Sequence, residues 1–416
     1  MTEDAASSDL VRRYFAIAFR LGRLLASRGH HFFVDRYTGP ADWRPGPEDA
    51  SAEPDPAALS DACLDLQRDL QSSGPADPRW RFLHEQVAAI NALCVSLSGR
   101  EIPFADLVRQ VVGGEPVVPS PEQLERGRAL LDRALPGRDP LTVRIEAWRT
   151  RNRLPPGQGD LLRELVQVTI DEARRRTHAL VELPPGEALE VVLVRNRPYG
   201  AASWYLGDAR SRIEFNVDRP LMLFSLPTLV FHETYPGHHA ETVVKEQTLA
   251  RRLGWLEHSM LLAPSPQATI AEGLATLAFE TVMSPAEAAE WARSEIYARA
   301  EVDVDDVDLA ALFEAATCLI PDEIAAVAAV KLAQGASPEE AARVFTDTGM
   351  ATATEAGAWV ADLAVPVRQV YAFTYSVGRA KLRPLVAAGG RREYARLLRG
   401  ALTPSLRLEV ESSATH

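Results

Sequence analysis

What this chain lacks narrows its reading before any motif is found. Of 416 residues only three are cysteine (Cys63, Cys94, Cys318), widely spaced and odd in number. That leaves neither a disulfide framework nor a cysteine-rich zinc site, and it fits reduced thiols. No window approaches the ~20 unbroken apolar residues of a membrane-spanning helix. Residues 1–10 are polar and acidic, without the basic-then-apolar order of a secretory signal, so the cytoplasm is the expected location. Basic charge is short as well: 45 Lys and Arg against 57 Asp and Glu give a net charge of −12. A nucleic-acid binder needs a basic footprint, and runs such as Arg174-Arg175-Arg176 are flanked by acids. Neither a nucleic acid nor a membrane is expected as a partner. Long flexible linkers are missing too, since the Pro/Gly clusters at 113–121, 136–140 and 154–159 only punctuate helices. What remains is 46% hydrophobic and 25% charged, the balance of a soluble globular enzyme.

Helical periodicity dominates. Residues 10–27 repeat apolar side chains at helical spacing, and similar patterns cover 55–72 and 79–98. The stretch 40–56, rich in Pro, Asp, Ala and Gly, reads as an exposed loop. β-character is confined to three short runs, 190–194, 202–207 and 212–217. Ser265-Pro266 and Ser337-Pro338 have the cap-then-proline form of a helix start. The Asp/Val alternation over 301–308 lacks the glycine and terminal glutamate of a calcium loop and reads as a solvated face. His30-His31 has no partner at helical spacing, and His84-Glu85 has no second histidine after it, so neither pair is a metal-site candidate.

The informative stretch is Phe231-His232-Glu233-Thr234-Tyr235-Pro236-Gly237-His238-His239, which holds three of the nine histidines. A His-Glu pair at the end of an apolar helix is how metal-dependent hydrolases present a ligand and a general base. In HExxH two histidines four residues apart share one helical face. Here the fourth position is Pro236, so the stretch is either an expanded form of that site or a coincidence. Proline clashes with the carbonyl four residues back, so the helix must bulge or break near Tyr235-Pro236-Gly237, and glycine there widens the allowed backbone. A two-residue insertion would return His238 to the place of the second ligand. His239 is the runner-up, although seven residues along an unbroken helix span about 10.5 Å; it is better suited to orienting a group or meeting substrate. Glu233 is the candidate base.

A third ligand is required. Glu272, on an apolar helix beside Gly273, would be costly to bury unpaired, and the glycine permits close approach of another helix; the alternative is an ordinary, partly exposed glutamate. Tyr371, Tyr375 and Arg379 recur at i, i+4 and i+8 on a last apolar helix. They either face substrate, as oxyanion donors and a carboxylate clamp, or pack in the core. Arg368 is a second candidate clamp.

The stretch 232–239 resembles the HExxPGHH signature of the bacterial family called "domain of unknown function 885". Similar blocks continue along nearly the whole chain: Arg20-Leu21-Gly22 with residues 34–40, residues 204–207 with 212–216, residues 254–258, Glu272-Gly273, and residues 375–379. Ala240-Glu241 and Ala275-Thr276 depart from that pattern. The resemblance implies a mainly α fold with a small β-sheet, of zincin-like (gluzincin-type) helical metallopeptidase architecture with a deep central cleft. It implies metal ligands at His232, His238 and Glu272, with Glu233 and Tyr375 catalytic and Zn2+ or another divalent ion as cofactor. His239, Tyr371 and Arg379 are then expected at the substrate. One domain over 1–416 is expected: a helical part (1–185), a small sheet with the metal-binding helices (186–285) and a helical end (286–416). The expected activity is zinc-dependent hydrolysis of amide bonds in short peptides. The alternatives are an amidase, deacylase or maturation enzyme for a small metabolite, and a non-catalytic metal-binding homologue.

Overall fold

The computed structural model describes residues 3–46, 53–74, 77–154, 157–197, 200–218, 221–349 and 351–404. The middle of the loop expected over 40–56, Pro155-Pro156 and the first two residues lie outside these. Helix α1 (Glu3–Ser27) leads to strand β1 (Val34–Tyr37), then to α2 (Pro56–Ser72), α3 (Pro78–Leu97) and α4 (Phe104–Val112). Helices α5 (Pro121–Ala134) and α6 (Leu141–Asn152), the short strand β2 (Arg153–Leu154) and α7 (Gly159–His178) precede the sheet strands. Those are β3 (Ala188–Val194), β4 (Ala201–Gly207) and β5 (Arg210–Asn216), within a residue or two of expectation at most ends. After β6 (Leu221–Met222) come α8 (Leu226–Glu233) and α9 (His238–Lys245), then β7 (Met260–Leu262) and α10 (Pro266–Val282). The remainder is helical: α11 (Pro285–Ala292), α12 (Leu309–Ala316), α13 (Pro321–Ala333), α14 (Pro338–Asp347), α15 (Ala353–Asp362), α16 (Pro366–Tyr371) and α17 (Phe373–Arg399).

The chain is therefore mainly helical. Many helices start alike: Asp55, Asp77, Ser120, Ser265, Ser284 and Ser337 each accept a backbone N–H from the first turn, with proline directly following. Each such cap satisfies orphan donors and is worth about 1 kcal/mol, while proline at the first helical position loses no hydrogen bond. The three-stranded sheet has the order β3-β5-β4, with β3 parallel to the central β5 and β4 antiparallel to it. Two small antiparallel pairs escaped the pattern reading, β1 with β7 and β2 with β6. They are two to four residues long, too short for alternation to show. The acidic run before α12 behaves as a solvated face: Val304 and Val307 are buried while Asp305 and Asp306 pair with Arg293 and Arg151.

One core joins the sheet to α5–α8, α10, α12 and the far end of α17, and a second joins α1–α4 to β1, β7 and the start of α17. Helices α10 and α17 cross where these cores meet. The crossing depends on two glycines: a Cβ on Gly273 would lie 2.5 Å from the Gly378 backbone, and one on Gly378 would lie 2.0 Å from the Thr269 carbonyl. This is the close approach expected of Gly273, with its partner glycine now identified.

Candidate metal centre

Helix α8 carries an apolar face into the core (Leu226, Val230 and Phe231 are buried) and ends at Glu233. Thr234 leaves helical geometry (φ −116°, ψ −92°), the Tyr235–Pro236 peptide is cis, and α9 begins at His238. The chain doubles back tightly on itself. Gly237 N–H donates to the Phe231 carbonyl at 3.2 Å, and Ala240 N–H donates to Thr234 at 3.0 Å. A Cβ on Gly237 would lie 1.9 Å from the His232 carbonyl oxygen, so no other residue fits there. The proline thus breaks the helix, as its position requires, and the break turns His238 back toward His232.

The two imidazoles meet edge to face, with ring centroids 4.7 Å apart. Glu272, buried on α10, completes the group: its Oε2 lies 3.4 Å from His232 Nε2 and 3.3 Å from His238 Nε2. All ligand atoms of these three residues lie within 4.8 Å of one another. Ligand atoms around a tetrahedral zinc with bonds of about 2.0–2.1 Å stand about 3.3 Å apart, so the residues fit such an ion. A second observation agrees: Glu272 Oε2 is buried without a hydrogen-bond partner, while Oε1 accepts from Tyr371 Oη at 2.6 Å. The unpaired oxygen is the one facing both imidazoles. Burial pushes the Glu272 carboxyl up, but the charge of His238 and the closeness of both imidazoles hold it well below the carboxylate range. Burial depresses His238 in turn, yet Glu272, then Glu233 and Glu241, raise it to about 10. A positive charge is strongly favoured between these groups.

Glu233 is half-buried and stands outside the set of three. Its charge acts on Asp35 and Asp322, which pattern reading missed. Both are exposed but crowded by protein. That crowding raises Asp35, on β1, to about 6 against Arg36 and His238. Asp322, in the first turn of α13, is raised for the same reason against His232. Tyr375 stacks at 6.2 Å on the His232 ring, and its hydroxyl lies 3.4 Å from that of Tyr371. Tyr371 ends α16 and Tyr375 lies in the first turn of α17, so the two lie on consecutive helices rather than on one. Burial first, then the Glu272 charge, keeps both phenols protonated.

Two expected substrate residues are placed elsewhere. His239 is 1% exposed and both of its ring nitrogens are engaged, Nδ1 with Ser211 Oγ at 2.7 Å and Nε2 with Glu187 Oε2 at 3.0 Å. It turns away from the metal cluster into the core, which corrects the expectation of a substrate contact. Arg379 is likewise corrected: at 4% exposure it donates to the Thr317 carbonyl at 2.8 Å and pairs with Glu280 and Glu323. Arg368 pairs with Asp362 at 2.7 Å and lies over the Tyr371 ring. His30 Nε2 donates to the Ala263 carbonyl at 3.2 Å. A surface groove of about 590 Å³ between α2 and α3, lined by Asp61, Asp65, Gln71 and His84 among others, includes none of the cluster.

No family model and no curated protein matches this chain. Among solved structures, a "putative lipoprotein" from Colwellia psychrerythraea shares 16% identity at a TM-score of 0.46, over 83% of this chain and 68% of that one. A "putative lipoprotein of unknown function" from Shewanella oneidensis shares 12% identity at a TM-score of 0.48, over 84% and 70%.

Proposed function

We propose that this chain is a zinc-dependent hydrolase of amide bonds that acts on short peptides. The observation that carries the reading is the convergence of His232, His238 and Glu272, with Glu233 beside them and outside the set. Two imidazoles and one carboxylate are a catalytic donor set, which leaves the fourth position to water or substrate. A structural site would close with four protein ligands and would have no use for an adjacent free carboxylate. His232, His238 and Glu272 would hold the ion, which when bound supplies Lewis-acid polarisation and an acidic water near neutral pH.

The chain's own residues do the rest. The Glu233 carboxylate takes the proton of the attacking water and delivers it to the leaving amine. The Tyr375 hydroxyl, kept protonated by its surroundings, donates to the carbonyl oxygen as negative charge develops there. Tyr371 holds Oε1 of Glu272, so that Oε2 stays turned toward the imidazoles. On this reading the fold is a zincin-like helical metallopeptidase with a cleft over the cluster, whose walls include the accessible Asp35 and Asp322. The likeness of its motifs to the "domain of unknown function 885" family supports the same assignment.

The test is a peptide-library digestion, with non-peptide amides in parallel, before and after chelation. Peptide cleavage that chelator abolishes and zinc restores is the expected result. Glu233→Gln is expected to keep its metal and lose turnover by about 10²–10⁴-fold. Full activity in that variant contradicts the assignment.

A further inference from the structure

The side of the interrupted motif that faces away from the metal cluster is organised around one residue, Glu187. It sits in the turn before β3, 8% exposed, and its Oε2 accepts two hydrogen bonds from the motif itself. Tyr235 Oη donates at 2.6 Å and His239 Nε2 lies at 3.0 Å. A carboxylate only accepts, so His239 Nε2 carries the hydrogen, and Nδ1 is hydrogen-bonded to the Ser211 hydroxyl at 2.7 Å. Arg174 Nη2 lies 2.5 Å from the other carboxylate oxygen. β3 and β5 run parallel in register, with Leu189 opposite Ser211. Glu187 and Ser211 therefore project from the same end of adjacent strands and make one socket. The two grips bracket the break: Tyr235 begins it, His239 follows it, and between them lie Pro236, Gly237 and the ligand His238. From another side the buried Tyr394 hydroxyl donates to Leu274 O at 2.8 Å and contacts Pro236 O at 3.3 Å, which ties the turn to the helix bearing Glu272.

We propose that Glu187 is a positioning residue for the metal centre: by holding Tyr235 and His239 on one carboxylate oxygen it fixes the turn that aims His238 at His232 and Glu272. This rests on the metal reading above but concerns residues that touch neither ion nor substrate. A side chain that orients a ligand without binding the metal typically changes affinity 10–100-fold when removed. The gain here comes from a backbone turn held at both ends, so each grip contributes part of it.

The experiment uses cobalt as the probe in the full chain. Cobalt retention is measured against a competing chelator, the visible ligand-field spectrum of the bound ion is recorded, and melting of the ion-free protein is followed in parallel. Glu187→Ala is expected to weaken retention about 10–100-fold and to alter the spectrum. Tyr235→Phe, which removes one grip and keeps the ring, is expected to shift both in the same direction by about tenfold or less. Glu187→Gln, able to accept one of the two bonds, should fall between wild type and Glu187→Ala. If Glu187→Ala does not fold, Tyr235→Phe decides. Folded variants that melt earlier yet bind cobalt with wild-type affinity and spectrum overturn the inference and leave Glu187 a purely structural residue. If the wild-type protein takes up no cobalt, the metal reading itself falls, and this inference with it.

Discussion

His238 and His239 are neighbours in the chain and opposites in the structure. The first faces Glu272 and His232 with its side chain 21% exposed; the second is wholly buried, with Ser211 on one nitrogen and Glu187 on the other. The same contrast extends outward. Behind the motif, Tyr235, His239, Ser211 and Tyr394 are all hydrogen-bonded, and the Glu187 oxygen left without a hydrogen bond is ion-paired with Arg174. In front of it, Glu272 Oε2 is buried without a hydrogen bond, and the exposed Asp35 and Asp322 are crowded by protein that disfavours their charge. Native proteins rarely leave buried polar atoms unpaired, and the exceptions call for a functional explanation. On the proposed reading the back of the turn is scaffold and the front is the candidate metal site, and one residue of helical phase separates them.

That contrast can be broken deliberately. The largest effect is expected from Gly237→Ala, because its Cβ would occupy the space of the His232 carbonyl oxygen. It should lose the metal and more than about 4 kcal/mol of stability, among the largest single-substitution effects, read by melting and metal content. Arg379→Ala tests whether this arginine is scaffold: it strands the buried Glu323 and should cost about 3 kcal/mol in urea unfolding, while KM for amidated and free-acid peptides moves together. A selective rise for the free acid would return it to the substrate. Tyr371→Phe removes the bond to Glu272 Oε1 and should weaken zinc about tenfold, with melting of the ion-free protein nearly unchanged.

The smallest effect sharpens the scaffold side. His258 is buried with neither ring nitrogen hydrogen-bonded, its ring tilted against Phe82 and stacked on Trp255, and burial, Lys245, Arg36 and Arg79 push its pKa well below 6.5. The folded protein keeps this imidazole neutral while the unfolded chain protonates it near 6.5, so the unfolded state binds the extra proton. Stability from this group is complete above pH 6.5 and declines as the pH falls below it. Urea unfolding at pH 7.5 and 5.5 should show that slope, and His258→Phe should flatten it. An unchanged slope contradicts the assignment.

Much of the front was legible in the chain. The apolar approach to His232, the proline that forbids a continuous helix and the glycine that permits the return all act locally, and local constraints are readable. Glu272 was legible because a lone acid beside glycine on an apolar helix is expensive unless used. The back was not. His238 and His239 differ only in which way the second helix starts, which depends on the turn's closure. Glu187, in a Pro-Pro-Gly-Glu turn more than forty residues upstream, has nothing local to distinguish it from a solvated acid. Arg379 shares a helical spacing with Tyr371 and Tyr375, but the chain changes helix at Ala372, and Glu280 and Glu323 come from other elements. Asp35 and Asp322 reach the cluster only through long-range packing of β1 and α13.

The central claim is that His232, His238 and Glu272 bind one divalent ion that Glu233 does not. Elemental analysis of the purified chain tests this most directly, with wild type, Glu233→Gln and Glu272→Ala compared after identical exposure to zinc and desalting. The account predicts about one zinc per chain in the first two and almost none in the third. Zinc absent from the wild type, or retained in full by Glu272→Ala, would contradict it.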